Sequence, residues 1–457
     1  MNESSDRSTL LLAAGTGPRR GLTRLHLFMM CFGAIVGVGW ITVLGQWLSQ
    51  AGPGGSLVAL VLGALAVSVV ASNYALLARK DLFAVGGEIG AVKGSLGAGA
   101  AFCVTAALSL ATLSVVAFEA VSAGWILVTL FPALEGQPLY QVFGQQVHVG
   151  SVVIALTGTV IVAVLNIKPI SSTASVQNVL VMVKLGVTAL FCLAGVFGGE
   201  ARNLLPLLPE PPDGVSAWHG VLALTATMPL WYAGFHVVAI LSNERADSVR
   251  LSDVAGAMRA SIFAACLFYA CIVLAAAYVV PWQTLITAPL PAATAFRDGL
   301  SSTTFANLVL MSGLLGICSA WIACFAASVR VLKQLRMQLT GREWDARLAT
   351  VAITVIGGTF SLAGRPALVP IVNVAAMCFG LVYLLVSIAT WRHAVTLAER
   401  CIVIVGAVVA AAMAAYVIVS AVAEGGWLAP EVIVTFFAVV AAALSWLFRS
   451  RKMSGAN

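Results

Sequence analysis

Long apolar stretches joined by short polar connections make up nearly all of this chain. A stretch of roughly 18 or more apolar residues is long enough to cross a bilayer as a helix. About twelve such stretches can be read, near 24–51, 55–78, 97–131, 149–167, 172–199, 217–242, 254–280, 303–329, 347–363, 366–391, 401–423 and 429–448. The ninth is short, and its hinge to the tenth, Ala363-Gly364-Arg365-Pro366, is tight. The first stretch is interrupted by glycines: Gly33-Ala34-Ile35-Val36-Gly37-Val38-Gly39-Trp40. Glycine weakens a helix and removes the side chain that would keep a ligand from the backbone. Unwound backbone survives at membrane depth only where protein buries it or where it lines a watery cavity. Gly33 and Gly37 also form a Gly-x-x-x-Gly packing face, so a binding site and a helix contact are both open readings of this segment alone.

Composition agrees with a membrane protein. Of 457 residues, 60% are hydrophobic and 9% charged, where a soluble domain would carry roughly 25% charge. One membrane domain is expected, with no soluble domain of useful size. Residues 1–20 are polar and read as a flexible cytoplasmic tail, lacking the apolar core and cleavage site of a signal peptide. Residues 449–457 form a short basic tail. The nine cysteines fall within or at the ends of apolar segments and read as small buried residues, not disulfides or metal ligands.

The net charge of +7 is distributed by loop. One alternate set of loops holds Arg19, Arg20, Arg24, Arg79, Lys80, Lys93, Lys168, Arg245, Arg250, Arg259, Arg330, Lys333, Arg336, Arg342, Arg347, Arg392, Arg400, Arg449, Arg451 and Lys452. The opposite loops hold only Arg202, Arg297 and Arg365. That asymmetry predicts both termini in the cytoplasm, and it explains the basic excess without nucleic acid. Trp47, Trp218, Trp282 and Trp427 fall near the expected outer boundary, and Trp344, Trp391 and Trp446 near the inner one, as an aromatic belt.

A second interruption lies in the sixth stretch, Ala226-Thr227-Met228-Pro229-Leu230-Trp231-Tyr232-Ala233-Gly234-Phe235-His236. Pro229 removes a helix hydrogen bond and Gly234 loosens the following turn. Transporters built from two inverted halves place broken spans at corresponding positions. If spans one to five are one repeat, the sixth span corresponds to the first.

With these residues in view, the chain resembles the amino acid–polyamine–organocation (APC) superfamily of permeases. Gly33 to Ile41 is similar to the superfamily's glycine-rich first span. Gly86-Gly87-Glu88 is similar to its Gly-Gly-Glu/Tyr loop after span two, and Val183-Lys184 to its span-five Val-Lys. Trp231-Tyr232-Ala233-Gly234-Phe235 with Asn243-Glu244 is similar to its span six, and Ala327-Ser328-Val329-Arg330 to the end of its span eight. The resemblance implies an all-α membrane fold of twelve transmembrane helices. These form two inverted five-helix repeats plus two C-terminal helices, with helices 1 and 6 discontinuous. On that plan the chain divides into residues 21–199 (helices 1–5), 200–393 (helices 6–10) and 394–448 (helices 11 and 12).

The resemblance also implies a substrate site. Gly33, Ala34, Gly37, Val38 and Gly39 would lie on the carboxylate side, Trp231, Ala233 and Gly234 on the amine side, and Trp40 near the pocket as a further substrate-binding residue. Helix ends give this a physical basis: a half-helix N-terminus presents free N–H groups to an anion, and a C-terminus presents carbonyls to a cation. Val38 and Trp40 are bulkier than the superfamily's usual residues, and His236 stands where an acid is common. These departures lean away from a bulky cationic substrate.

Two charged residues lie deep in apolar stretches, Lys184 and Glu119. Lys184 is about twelve residues into the fifth stretch, roughly 18 Å along a helix. A charge at that depth costs at least about 2.5–3.5 kcal/mol and is a functional candidate by default. The resemblance implies that Lys184 takes the place of a sodium ion, bonding the broken first span and span-eight hydroxyls such as Ser319. Bracing the first span is the structural alternative. Glu119 reads as a second proton site, a partner for a substrate amine, or an interhelical hydrogen-bond donor. His236 reads as a pH sensor or a packing residue. Asn243-Glu244-Arg245-Ala246-Asp247 is expected to meet the basic end of span eight as an inner gate, or to be a plain loop.

These residues predict a secondary transporter in the plasma membrane. Its partners would be a small-molecule amino acid or amine substrate, protons and the lipid bilayer, with no cofactor or metal. Proton symport is the leading expectation, with Lys184, Glu119 and His236 as coupling candidates. An uncoupled exchanger of the same fold is the alternative. A transport-dead sensor and a membrane enzyme are remote, the latter because clustered catalytic side chains are missing from the sequence pattern.

Overall fold

The computed structural model describes residues 21–80, 82, 83, 87–210, 216, 218–436 and 440. Both expected tails and Gly86 lie outside the described residues, as does most of the last apolar stretch, which is helical over 430–436. Nine helices among the described residues are long and apolar enough to cross a membrane. The protein is an all-α membrane protein, with one small exception described below.

The chain enters through α1 (Arg24–Ile35), capped where the Thr23 side chain accepts from the His26 amide at 3.2 Å. After a break at 36–38 it resumes as α2 (Gly39–Thr42) and α3 (Leu44–Arg79). Gly52, at φ 63°, kinks α3 just before Pro53, so the expected boundary between the first two spans is a sharp bend and not a loop. Next come α4 (Gly87–Leu96), too short to cross, and α5 (Ala98–Leu130). A hairpin of β1 (Pro138–Val142) and β2 (Gln145–His148) follows. Phe143 and Gly144 both take positive φ at its turn, which suits the twist of a two-residue hairpin loop. The apolar pattern carried no sign of this ribbon.

The remaining helices are α6 (Val149–Ile167), α7 (Ile170–Gly198), α8 (Trp218–Trp231), α9 (Val237–Ile240) and α10 (Leu251–Val279). They continue as α11 (Pro291–Gly299), α12 (Thr303–Thr340), α13 (Ala346–Ser361), α14 (Leu368–Trp391) and α15 (Leu397–Gly425). Within the bundle, α5 packs against α12 and α14, α1 against α10, α7 and α12, and α3 against α8 and α10. The broken segments therefore lie inside a cage of long, buried helices.

Two expectations about side chains change. Trp47 and Trp282 are buried, not part of an outer belt: Trp47 meets Trp231 and Tyr269 edge-on, and Trp282 donates to the Pro206 carbonyl at 3.0 Å. Trp218, Trp391 and Trp427 are exposed. Cys103 and Cys401 are exposed rather than buried, because an apolar helix in lipid gains nothing by turning a small apolar residue inward.

Candidate functional site

The two interruptions meet at the centre of the bundle. The first helix ends at Ile35 and restarts at Gly39, leaving 36–38 unwound. The other break comes later than the proline suggests: α8 runs through Pro229 to Trp231, and the chain is irregular over 232–236. Proline removes one amide donor without forcing the turn to open, whereas Gly234 takes φ 112° and departs from the helix. A Cβ at Gly234 would lie 2.6 Å from the Ala34 carbonyl oxygen. Glycine thus lets one break touch the other.

The surrounding helices hold these segments. From α10, the Tyr269 hydroxyl donates to the Ile35 carbonyl at 3.0 Å and reaches the Trp231 carbonyl at 3.2 Å, bridging both. Cys31 Sγ donates to the Phe235 carbonyl at 3.3 Å. Lys184, fully buried on α7, donates from Nζ to the Val36 carbonyl at 2.8 Å and to Ser319 Oγ on α12 at 3.4 Å. Its ammonium also lies 5.0 Å from the centre of the Phe32 ring. Ser319 Oγ donates to Gly316 O at 2.8 Å. A side chain at Gly316 would run into the Gly37 carbonyl at 2.7 Å, so α12 approaches the unwound segment closely.

Glu119 of α5 reaches the other side of that segment. A Cβ at Gly37 would stand 2.6 Å from Glu119 Oε1, while Glu119 Oε2 is buried without a hydrogen-bond partner. Trp231 covers Gly39, with ring carbon Cζ3 2.7 Å from where a Cβ would sit. Between these groups lies a cavity of about 90 Å³. Ala34, Gly37, Val38, Gly39, Trp231, Ala233, Gly234 and Glu119 border it.

Four sequence candidates do not border that cavity: Gly33, Trp40, Lys184 and His236. Trp40 turns away, stacked on Phe191 at 6.0 Å and edge-on to Phe268 at 5.6 Å, so its bulk does not narrow the site. Each helical residue turns its side chain by about 100° from the one before, so Trp40 points away from the cavity that Val38 and Gly39 border. At Gly33 a Cβ would strike Gln177 of α7, so this glycine serves packing. Lys184 bonds the far side of the unwound strand. His236 is buried, its Nδ1 2.8 Å from the Tyr383 hydroxyl and its ring 4.5 Å from that of Phe379.

Sequence reading missed Phe118, Tyr269, Cys324 and Phe379, which also border the cavity. Nothing in an apolar helix marks which aromatic faces a ligand and which faces a neighbour. Among the described residues, no three His, Cys, Asp or Glu side chains gather as a metal site.

On the face bearing the basic loops, the chain is sewn shut. The Leu22 amide donates to the Glu244 carbonyl at 2.8 Å, and the Ala246 amide to the Leu22 carbonyl at 3.0 Å. Glu244 pairs with Arg330 at 3.3 Å, so the acidic segment after span six does meet the end of span eight. Below the break, a Cβ at Gly87 would lie 2.5 Å from the Ala239 carbonyl of α9. Next to it, buried Glu88 accepts from the Tyr74 hydroxyl at 2.5 Å. Burial pushes the Glu88 carboxyl up to about 8, with the Tyr74 hydrogen bond pulling the other way.

Residues 22–447 match the amino acid permease family. The chain belongs to this family, within the APC superfamily. Such permeases are transporters, not enzymes. A curated relative, cationic amino acid transporter 9, chloroplastic, from Arabidopsis thaliana, is 25% identical over 301 residues, covering 64% of this chain. The chain spans about half (51%) of that relative's length.

Proposed function

We propose that this permease is a secondary active transporter that carries an amino acid or related amine across the plasma membrane by alternating access, as a proton symporter. The single observation carrying this reading is the Lys184 ammonium on the Val36 carbonyl, within the unwound part of the first span. A charge-assisted hydrogen bond holds that segment while the lysine is protonated and weakens when the proton leaves. Proton loss and movement of the substrate-binding backbone are thereby tied together. The zwitterion would lie along the break, its carboxylate toward the leading amides of the resumed helix. Its ammonium would meet the free Oε2 of Glu119 and the carbonyls near Gly234. Glu119 is thus both substrate partner and second proton site, and His236 acts at a distance through Tyr383.

The two breaks, brought together at Ala34 and Gly234, support two inverted five-helix repeats with helices 1 and 6 discontinuous, followed by two further helices. The basic loops support cytoplasmic termini, which makes the hairpin face the outer one. The relative's name concerns cationic amino acids. Glu119 on the cavity wall suits an ammonium, and the turning of Trp40 away from the cavity removes one objection to such a side chain.

The test uses purified protein in proteoliposomes with an imposed pH gradient, and tritiated L-arginine and L-alanine as probes. Wild type is expected to accumulate a probe against its gradient. Lys184→Met is expected to exchange it without accumulating it. Unchanged accumulation by the variant overturns the coupling role. Exchange by the wild type with no response to the pH gradient identifies an uncoupled exchanger.

A further inference from the structure

A second and larger cavity, of about 410 Å³, lies beyond the central one toward the hairpin face. Phe118, Leu230, Trp231 and Val372 border both, so a single layer of side chains separates them. Its volume falls in the range of small-molecule sites, roughly 300–1,000 Å³. The central cavity, about 90 Å³, is well below it.

The lining of the larger cavity is chemically specific. Arg365 stands in its wall, with the guanidinium 4.2 Å from the centre of the Trp125 ring. Stacking on an indole fixes the plane of a guanidinium and leaves its N–H edge available for a bidentate carboxylate. Among the described residues, the Arg365 guanidinium has no hydrogen bond or ion pair, its one contact of note being the Trp125 ring. The carboxylates nearby are otherwise engaged. Glu135, which borders an adjoining cavity with Arg365, pairs with His148 at 3.5 Å. Glu431 accepts from Asn373 Nδ2 at 3.1 Å, and Asn373 itself borders the larger cavity.

Three further groups on the same wall are buried without partners: Gln50 Oε1, Ser122 Oγ and Trp47 Nε1. Ser122 and Trp47 are each 1% exposed. Buried polar atoms nearly always find partners, so these three are completed by water or by a polar guest in the cavity. Gln50 Oε1 and Ser122 Oγ can accept from an ammonium, while Trp47 Nε1 and Arg365 can donate to a carboxylate.

We infer that this cavity is a second amino acid-binding site, in which Arg365 receives the substrate carboxylate before the substrate passes Trp231 to the central site. The inference rests on the amino acid reading given above. It makes Arg365 a residue that selects for a free α-carboxylate, so that amines lacking one are taken up poorly from the outer face.

The test is equilibrium binding of tritiated L-arginine and, separately, L-alanine to the purified full-length protein. Wild type is expected to bind two equivalents of at least one probe. Arg365→Gln is expected to bind one, and Arg365→Lys two, the second more weakly. Gln50→Ala, which leaves the Arg365 stack intact, is expected to weaken the same equivalent and keeps the test valid if Arg365→Gln fails to fold. In proteoliposomes, Arg365→Gln is expected to raise KM for uptake from the outer face roughly tenfold or more relative to the inner face. A single equivalent in wild type, or two equivalents of unchanged affinity in both Arg365→Gln and Gln50→Ala, overturns the inference and leaves the central site untouched. Absence of binding by either probe to any form overturns the amino acid reading itself, and this inference with it.

Discussion

The side-chain nitrogen of Lys184 stands 2.8 Å from the carbonyl oxygen of Val36. Val36 is the first residue of the unwound segment, so its carbonyl has lost the helical partner one turn ahead. An unmet buried carbonyl costs about 1–3 kcal/mol, and the lysine supplies the missing donor. Arginine keeps its charge at every accessible pH. Lys184→Arg is therefore expected to retain exchange of tritiated amino acid while its response to an imposed pH gradient is lost. Counterflow measured with and without the gradient checks this.

Glu119 presents one oxygen to Gly37 and leaves the other unpartnered. Glutamine preserves the shape but cannot exchange a proton. Glu119→Gln is expected to flatten the pH dependence of transport and, by removing the charge that meets the substrate ammonium, to weaken substrate binding. Initial rates across a pH series, set beside binding at a fixed pH, separate the two effects.

Gly234 combines positive φ with a carbonyl 2.6 Å from its absent Cβ. Alanine there adds backbone strain to a steric clash, on the order of 2–4 kcal/mol together. Gly234→Ala is expected to lower the melting temperature in detergent by several degrees and to abolish substrate-induced stabilisation. A thermal-shift assay with and without substrate reads both.

Glu88 is held at about 8 by burial, against 4.5 in an unfolded chain. Between those values the folded protein keeps a proton that the unfolded chain has released. Stability therefore falls as pH rises from about 4.5 to about 8 and is level on either side. Glu88→Gln is expected to remove that slope, as seen in melting temperatures recorded across this pH range for both forms.

Glu244 and Arg330 close the basic face in a partly exposed pair. Such pairs contribute about 0–1 kcal/mol, so Arg330→Gln is expected to leave the melting temperature nearly unchanged. Its effect appears as greater labelling, by a thiol reagent applied from that face, of a cysteine placed at the buried position Ser242.

Much of this molecule was readable along the chain. Apolar length alone determined that it is a helical membrane protein, because lipid offers no partner for an exposed peptide group. Glycine spacing at Gly33, Gly37 and Gly39, and Gly234 after Pro229, located both breaks. The depth of Lys184 and Glu119 in apolar runs marked them as special, since a charge there needs a partner. What periodicity does not contain is the rotation of each segment and the identity of its neighbours. Only packing decided that Trp40 turns from the cavity while Trp231 covers it, that Trp47 is core and not belt, and that Tyr269 joins the two breaks. Arg365 read as one more outer-loop charge. Its place on Trp125, beside three unpartnered polar groups from distant segments, comes from tertiary contacts that no local pattern encodes.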